Sequence, residues 1–548
     1  MFIYPNVKVE LNNLLLTLSS IILLSIAFTY IISCAELALK INLFQYNIVL
    51  AYIASNILIY KLRGSSSILV ANLIFLILSS SLYYLLSKTY DASWDGQWYH
   101  QDAVIKLVEG WNPFYSVSEP NLSISESDIW IHHYPQASWI VQACILKIGN
   151  NIQATKILHL LLSVSCFGIS FYAIRIVGKF NVFISALFSL CIAFNPITYS
   201  QFFSFYVDGQ SAVGLSMYAI LLVLLTQNPS KYLYLLLTAV FIYISNIKFT
   251  NLVYLSIFNA SYFTWYIINN KNTRLKIITY FTALYCFGIF IVGYSSYTRN
   301  TIENTHPFYP LLGEKNVGKI VKEIPLSANF VDQNRFENFI DASFAYPVYA
   351  RQPDSSRFRV PFTDVNYDNF FRTDPEISGF GARWSEILII SCLILIYLLI
   401  KLDSKKRFHL LMICSVLLIS IFINESCFVA RYVPQMWLIP IIFIIYLYST
   451  NRFLAKVVSV VFSLFLIYNT LKIVETQVKY QIEVRNNINL EIDYLKSIQK
   501  TIEVKCKYKS VLERLKENNI SYVIIQGDNN KERHQFNYTA EENYYIIP

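Results

Sequence analysis

The side chains best suited to chemistry lie in one polar stretch, residues 90–115, which reads YDASWDGQWYHQDAVIKLVEGWNPFY. Within it, Asp91 and Asp95 are four residues apart, so on a helix they would share one face. A carboxylate in such a place can act as a general base, a metal ligand or an acceptor for sugar hydroxyl groups. Trp94 and Trp98 flank Asp95 and offer flat aromatic faces to a sugar ring. A solvated loop acid and aromatic anchors at a membrane interface are the alternative interpretation.

Further candidates for substrate binding share one feature, a polar or aromatic side chain in a short motif beside an apolar run: His100, His133, Tyr134, Asp208 and His306. His100 belongs to the same polar stretch, whereas His133 and Tyr134 lie in IHHYPQASW. A metal role for the paired histidines needs further ligands, and entry into a helix at Pro135 explains them equally well. Asp208, in FYVDGQS, is also explained as an acid favoured by the dipole at a helix N-terminus.

Two cationic residues complete the set. Lys248, in NIKFTN, lies at the outer end of a predicted span, where a lysine can either snorkel to the surface or bind a phosphate. Arg431, in CFVARYVPQ, lies on the outer side just before another span, against the usual distribution of basic residues. Such an arginine favours an anionic partner such as a lipid phosphate. Cations for a phosphate and a carboxylate for an acceptor hydroxyl are the mixture that a lipid-linked phosphate substrate requires.

The rest of the chain supplies a membrane frame for these residues. Of the 548 residues, 55% are hydrophobic and 14% are charged, against about a quarter charged in soluble domains, and the mean hydropathy is +0.43. Apolar runs of span length recur throughout and predict an all-α polytopic membrane protein with about thirteen transmembrane helices. The net charge of +9 comes from basic residues in short loops, which does not favour nucleic acid as a partner. The cysteines form no CxxC motif, so we predict neither a disulfide framework nor a zinc site.

Orientation follows from the basic loops between the predicted spans. We expect a multi-pass protein of the plasma (inner) membrane with a cytoplasmic N-terminus, because positive loops favour the cytoplasmic side. Residues 1–471 would form the transmembrane domain, with large outer loops at residues 87–152 and 295–383. The basic loops that define the cytoplasmic side contain Lys61, Arg175, Lys271, Lys405 and Arg452.

The remaining residues, 472–548, change character and are called the C-terminal module below. A charged helix from Glu475 to Lys500 is expected after a last span at Phe453–Asn469. The segment SVLERLKENNISYVIIQG then predicts a helix, a turn and a short strand at Ser521–Gln526. We therefore expect a small α/β module on the extracytoplasmic side.

Taken together, these motifs resemble the GT-C superfamily of membrane glycosyltransferases, which includes protein O-mannosyltransferases and lipid A aminoarabinose transferases. The resemblance rests on the acidic first large loop, HHYP, the hairpin with Lys248, HPFYP, the outer RYVPQ and the extracytoplasmic tail. Two additional spans precede the acidic loop, which is a departure from the family pattern. A WWDYG-type signature of oligosaccharyltransferases does not occur.

The resemblance implies transfer of a hexosyl or pentosyl group from a polyprenyl-phosphate donor to a glycan, lipid or protein acceptor on the extracytoplasmic face. Asp95 would be the general base of an inverting reaction, with Asp91 as its helper or substitute. Lys248 and Arg431 would hold the donor phosphate. Metal dependence varies within the superfamily, so the resemblance leaves a divalent cation as an open option beside the donor.

Two other functions share some of these features. A glycan polymerase or ligase of the cell envelope would use an outer loop rich in arginine, and the segment from Arg351 to Arg383 contains several arginines. A lipid or polysaccharide transporter without chemistry would carry charges or helix breaks in the middle of paired spans. The sequence has few such charges within its apolar runs and no recognisable halves.

Overall fold

The computed structural model describes residues 10–64, 67–115, 126–270, 273–317, 333–346, 358–365, 367, 373, 377, 379–525, 532–539 and 543–547. These residues form a bundle of helices with a small sheet at the C-terminal end. The strands are β1 (Ile502–Lys505), β2 (Tyr522–Ile524), β3 (His534–Gln535) and β4 (Tyr544–Ile546). In chain order the α-helices are α1 (Leu11–Ala38), α2 (Asn47–Arg63), α3 (Ile68–Leu86), α4 (Gln101–Val108), α5 (Glu126–His133), α6 (Ala137–Gly149), α7 (Leu158–Ile176), α8 (Val182–Ala193), α9 (Pro196–Ser200), α10 (Asp208–Gln227), α11 (Lys231–Ser245), α12 (Phe249–Asn269), α13 (Arg274–Tyr285), α14 (Arg299–Asn304), α15 (Arg335–Ser343), α16 (Trp384–Lys401), α17 (Ser404–Phe422), α18 (Leu438–Tyr448), α19 (Phe453–Ile498) and α20 (Lys509–Glu517).

Several helices are suited to a membrane. Among the described residues, 7 helices are long and apolar enough to cross one: Leu11–Ala38, Ile68–Leu86, Gln153–Ile176, Asp208–Gln227, Arg274–Ile291, Trp384–Lys401 and Phe453–Ile498. Other apolar helices are shorter, such as α8 with 12 residues and α11 with 15. A bilayer core requires roughly 20 residues of helix, so the count of about thirteen spans stays a prediction.

The starts of several helices are set by polar caps in the sequence. The side chains of Asn181, Ser230 and Asp403 each accept a hydrogen bond from the backbone amide three residues later. Each therefore satisfies one of the amides that the first helical turn leaves without a partner. Asn195 caps α9 in a similar way, and Pro196 follows at the first helical position, where its missing N–H costs nothing.

Helix α1 lies in the interior of the bundle, and its polar residues are buried with the apolar ones. The hydroxyl groups of Ser20 and Thr29 donate to backbone carbonyls one turn earlier, at 2.6 and 2.7 Å, and so remain satisfied. In α7, a Cβ on Gly168 would lie only 2.7 Å from the carbonyl oxygen of Leu15. Helices α1 and α7 therefore cross with their backbones in close approach, as small residues permit.

The last apolar helix continues far beyond the length of a span. Helix α19 has 46 residues, so at 1.5 Å per residue it is about 70 Å long, more than twice the roughly 30 Å of a bilayer core. The expected last span and the expected charged helix are thus one uninterrupted helix. The reason is that 470–474, where we placed the break, read TLKIV, without a glycine, proline or capping signal.

The C-terminal module has the α/β character that its sequence predicts. The predicted helix is α20, and the predicted strand is β2, which pairs in parallel with β1. Strands β4 and β3 complete a sheet of order β2-β1-β4-β3, in which both further pairings are antiparallel. The apolar core of the module joins this sheet to the far half of α19 through Val484, Ile488 and Ile492.

Candidate functional site

Asp95 follows a turn that is shaped by Asp91. The Asp91 carboxylate accepts hydrogen bonds from the Ser93 amide at 2.8 Å, the Ser93 hydroxyl at 2.6 Å and the Phe205 amide at 2.8 Å. A Cβ on Gly96 would lie 2.0 Å from this carboxylate, so a larger residue there would force the Asp91 side chain to move. Asp91 and Asp95 do not share a helical face, because residues 91–93 are not helical. A π-helical turn of 5 residues begins directly after Asp95, and such turns are frequent at functional sites.

Charged side chains from distant parts of the chain meet beside this turn: Asp95, Asp208, Lys248 and Arg431, called the ionic cluster below. Asp208 forms an ion pair with Lys248. Nη1 of Arg431 lies 3.7 Å from Oδ2 of Asp95 and 3.8 Å from Oδ2 of Asp208. Gln201 also donates a hydrogen bond from Nε2 to Oδ2 of Asp208, at 3.1 Å. The two carboxylates balance the two cations, so the ionic cluster is formally neutral.

The fold places these residues where helices begin. Asp208 is the first residue of α10, and Lys248 directly precedes α12. Arg431 lies in a short 3₁₀ turn ahead of α18. An acid at a helix start is favoured by the helix dipole, which helps to explain Asp208. Since the chain leaves the regular helical path at these points, the side chains can converge from different helices on one end of the bundle.

Tyrosine rings hold the two cations. Nζ of Lys248 lies 4.5 Å from the ring centre of Tyr432. The guanidinium of Arg431 lies 5.0 Å from the Tyr432 ring and 5.4 Å from the Tyr206 ring. Cation–π attraction of this kind helps to orient the two cations in the site. The Tyr206 hydroxyl also accepts a hydrogen bond from the Asp95 amide at 3.4 Å, which ties both sides of the site together.

The members of the ionic cluster differ in their access to solvent. The exposed fraction of the side chain is 23% for Asp95, 10% for Arg431, 9% for Lys248 and 4% for Asp208. Burial lowers the pKa of the Lys248 ammonium, and the neighbouring carboxylate of Asp208 opposes this shift. Asp95 is therefore the member that an incoming molecule reaches most easily. The more buried Asp208 forms ion pairs with both cations, Lys248 and Arg431.

His100 and Tyr134 form part of the wall next to the ionic cluster. Trp139 donates a hydrogen bond from Nε1 to Nδ1 of His100 at 2.7 Å, and burial lowers the pKa of His100 to about 3. His100 is therefore neutral, and its ring lies 6.0 Å from that of Tyr206. The ring of Tyr134 packs edge to face against Tyr99, the neighbour of His100, at 6.5 Å. These residues shape the site by packing.

His133 and His306 have their partners elsewhere, in α14 and in the loop that follows it. Nδ1 of His133 is hydrogen-bonded to Oδ1 of Asn300 at 2.7 Å, and its ring packs against Tyr309 at 4.7 Å. Burial lowers the pKa of His133 to about 4, so it is neutral at ordinary pH. His306 accepts a hydrogen bond at Nδ1 from the Phe308 amide, 3.1 Å away. Both histidines thus fix the course of the HPFYP segment.

The two predicted sugar platforms point to different surroundings. Trp94, next to Asp95, is 44% exposed. Trp98 packs instead against the apolar core of the C-terminal module. Since Trp94 remains accessible beside Asp95, it is the better placed of the two to contact a substrate ring.

Other polar residues of the stretch bind the C-terminal module rather than the ionic cluster. The Lys509 amide donates to Oδ1 of Asp102 at 2.9 Å, and the Lys509 ammonium pairs with Glu109. Gln97 donates from Nε2 to the carbonyl oxygen of Tyr538 at 2.8 Å. Burial raises the pKa of Asp102 to about 7. The stretch therefore has two sides, with Asp95 in the site and Asp102 at the docked module.

Sequence reasoning missed the tyrosines of the site. Tyr206 stands two residues before Asp208 in FYVDGQS, and Tyr432 directly follows Arg431 in RYVPQ. Their position beside predicted charged residues was the only available signal. Their role became visible only when the fold brought both rings next to the same guanidinium.

In the second predicted outer loop, residues 295–383, Arg359 and Arg383 have structural roles. Arg359 is buried and forms an ion pair with Glu386 at 3.1 Å, and Arg383 pairs with the same carboxylate at 3.1 Å. Both arginines therefore fasten this segment to the start of α16. Arg351 and Arg357, which also support the polymerase alternative, lie outside the described residues.

Within the described ranges, no group of three or more His, Cys, Asp or Glu side chains is arranged to hold a metal ion. No protein-family model matches the sequence, and no curated protein matches it at a significant level.

Proposed function

We propose that the protein is an integral membrane glycosyltransferase with Asp95 as its general base. The donor is a sugar linked to a polyprenyl phosphate, and the acceptor is a hydroxyl group on the extracytoplasmic face. The observation that carries the proposal is the accessible Asp95 carboxylate 3.7 Å from the guanidinium of Arg431, beside the buried Lys248–Asp208 pair. The site thereby combines a base with cations suited to a phosphate.

The proposed reaction assigns one step to each kind of group. The acceptor oxygen attacks the anomeric carbon while Asp95 takes the proton of the hydroxyl group. The bond between that carbon and the phosphate oxygen breaks, and the phosphate leaves with the bonding electrons. Arg431 and Lys248 stabilise the negative charge that develops on the phosphate. Because this is a single displacement, the configuration of the anomeric carbon is inverted.

Asp95 is a better candidate for the base than Asp208. The Asp208 side chain is 4% exposed and is engaged by Lys248 and Gln201. The Arg431–Asp95 separation of 3.7 Å exceeds the roughly 2.7–2.9 Å of a charge-assisted hydrogen bond. The contact is therefore an ion pair of moderate length, and the Asp95 side chain, at 23% exposure, is easier for an acceptor hydroxyl group to reach than that of Asp208.

The experiment that tests the proposal is a sugar-transfer assay on Asp95→Asn in proteoliposomes with a panel of hexosyl and pentosyl polyprenyl phosphates. Asparagine keeps the shape but cannot take the proton, so turnover should fall by roughly 10²–10⁴-fold. Asp493→Asn, at an exposed position of α19, is the matched control and should leave turnover unchanged. Full turnover of Asp95→Asn would remove Asp95 as the base. Movement of intact lipid without any transfer would favour the transporter instead.

A further inference from the structure

A buried lysine lies where the turn of the polar stretch begins. Lys156 belongs to the short 3₁₀ turn ahead of α7, and its side chain has no contact with solvent. Its ammonium donates hydrogen bonds to Oγ1 of Thr89 at 3.0 Å and to Oε1 of Gln153 at 2.8 Å. The same Gln153 oxygen accepts a hydrogen bond from the Asp91 amide at 3.1 Å. Lys156 and Gln153 together therefore hold the chain at the start of the turn.

The carboxylate of Asp91 is buried and depends on a nearby positive charge. The three hydrogen bonds that it accepts come from neutral groups, two on Ser93 and one on the Phe205 backbone. Burial raises the pKa of Asp91, and the charge of Lys156 is the strongest of the interactions that oppose this shift. Without that cation the buried carboxylate would be uncompensated and would take up a proton more readily. Lys156 thus favours the ionised form that accepts all three bonds.

The turn is connected to the ionic cluster through one loop. Asp91 binds the Phe205 amide, and the hydroxyl group of the next residue, Tyr206, accepts a hydrogen bond from the Asp95 amide. The Tyr206 ring also lies 5.4 Å from the guanidinium of Arg431. A shift of the Asp91 side chain would therefore disturb both the backbone that carries Asp95 and the ring beside Arg431.

We propose that Lys156 is a positioning residue, which holds Asp95 in place for the transfer reaction by fixing the Asp91 turn. The inference rests on the proposed function, because Asp95 is the base of that reaction. An ionisable side chain within an apolar helical segment is costly and marks a functional position by default. Lys156 lies in such a segment, since the candidate span begins at Gln153. Because its ammonium is fully buried, Lys156 acts through Asp91 and not on the substrate itself.

The test is a double-mutant cycle of Lys156→Met and Asp91→Asn in the sugar-transfer assay, with kcat and KM measured per folded molecule. Methionine removes the charge and keeps a long unbranched side chain. A displaced base should lower the kcat of Lys156→Met by roughly 10–100-fold while the KM for the donor stays the same. In the Asp91→Asn background the same change should cost little more, because the group through which Lys156 acts is already altered.

Lys147→Met is the matched control for the loss of a lysine. The Lys147 ammonium donates to the Leu43 carbonyl at 2.7 Å, so it is also held by the fold, but it has no contact with the turn. Its removal should leave kcat unchanged.

A pH profile separates positioning from a general loss of structure. Without the ammonium the pKa of Asp91 should rise further, so at low pH the side chain is protonated and loses acceptor capacity. The kcat of Lys156→Met relative to wild type should therefore increase as pH rises, and the double variant should show no such increase. Glu517 of α20 also interacts with Lys156 and accepts a hydrogen bond from the Ile152 amide at 2.9 Å. Both variants retain Glu517, so the difference between their profiles reports on Asp91.

The outcomes separate this inference from the proposed function. Full kcat in Lys156→Met, or losses that simply add in the double variant, would show that Lys156 only stabilises the fold, and Asp95 would remain the base. Full transfer by Asp95→Asn together with a non-additive cycle would remove Asp95 as the base and keep the coupling of Lys156 to Asp91.

Hydrogen exchange tests the positioning of the turn without any transfer reaction. The amides of residues 93–100 should exchange faster in Lys156→Met than in the wild-type protein, and at the wild-type rate in Lys147→Met. Equal exchange in all three proteins would overturn the inference.

Discussion

The carboxylate of Asp95 faces the guanidinium of Arg431 across 3.7 Å, although the two residues are far apart in the sequence. The contact joins the turn before α4 to the turn before α18. Arg431 also lies 3.8 Å from Asp208, so a single guanidinium connects both carboxylates of the ionic cluster. Its orientation is thus fixed before any substrate arrives, which lowers the cost of ordering the site.

Removal of the Arg431 side chain should weaken donor binding. We expect Arg431→Ala to lose roughly 1.5–3 kcal/mol of binding free energy, because hydrogen bonds to charged groups contribute about this much. The measurement is a titration of the purified variant with the polyprenyl-phosphate sugar. Arg452→Ala, which removes an exposed cation directly before α19, is the control. An unchanged donor affinity in Arg431→Ala would exclude Arg431 from phosphate binding.

Replacement of Asp91 should affect stability more than chemistry. The Asp91 carboxylate accepts three hydrogen bonds, and an asparagine amide has one acceptor oxygen in place of two. A buried donor left without a partner costs about 1–3 kcal/mol, so Asp91→Asn should unfold at lower temperature. Its turnover per folded molecule should exceed that of Asp95→Asn. If Asp91→Asn instead had the lower turnover, Asp91 would be the general base and Asp95 the structural residue.

Docking of the C-terminal module should depend on pH. Burial raises the pKa of Asp102 and of Glu517 to about 7, well above the usual value near 4 for such acids. The folded state therefore binds these protons more tightly than the unfolded state. Their contribution to stability is fully present below about pH 4 and is lost as pH rises through about 7.

Hydrogen exchange of α20 against pH measures this dependence. Exchange should become faster, relative to its intrinsic rate, between about pH 4 and 7, since ionisation of the buried acids opposes docking. Asp102→Asn should make the profile shallower, because the amide does not titrate while Glu517 still does. Protection that stays constant over this range would show that neither acid controls the docked state.

The positive-inside bias predicts which compartment receives the site. Alkaline phosphatase fused to the C-terminal end should be active, because the C-terminal module is expected outside the cytoplasm. The same reporter inserted at Asp403, in a basic loop, should be inactive. The reverse pattern would place the ionic cluster in the cytoplasm, since the polar stretch docks on the C-terminal module.

Much of the site was predictable because charge is rare in this sequence. Asp95, Asp208, Lys248 and Arg431 each stand out beside an apolar run, and the fold brings all four together. Their mutual pairing was not predictable, since it depends on how helix starts far apart in the chain converge. The same limit applies to Asp102, whose partner Lys509 lies in a different region of the chain.

The helical architecture was predictable in type more than in number. Long apolar runs identify helices such as α1 and α3 directly. Short runs such as that of α8 have the same composition, whether they cross a bilayer or end inside a bundle, so hydropathy alone counts them as spans. The sequence also predicted two helices where α19 is one. A change from apolar to charged residues alters the surroundings of a helix but does not end it.

The continuity of α19 makes the C-terminal module sensitive to helical phase. One residue inserted near its middle would rotate everything beyond by about 100° and advance it by about 1.5 Å. Such a rotation would turn Val484 and Ile488 away from the sheet that they now support, and would carry Tyr538 away from Gln97. If this module is transplanted into another protein, the number of residues in the helix must therefore be kept. The length of α19 determines whether the module is aligned with the polar stretch.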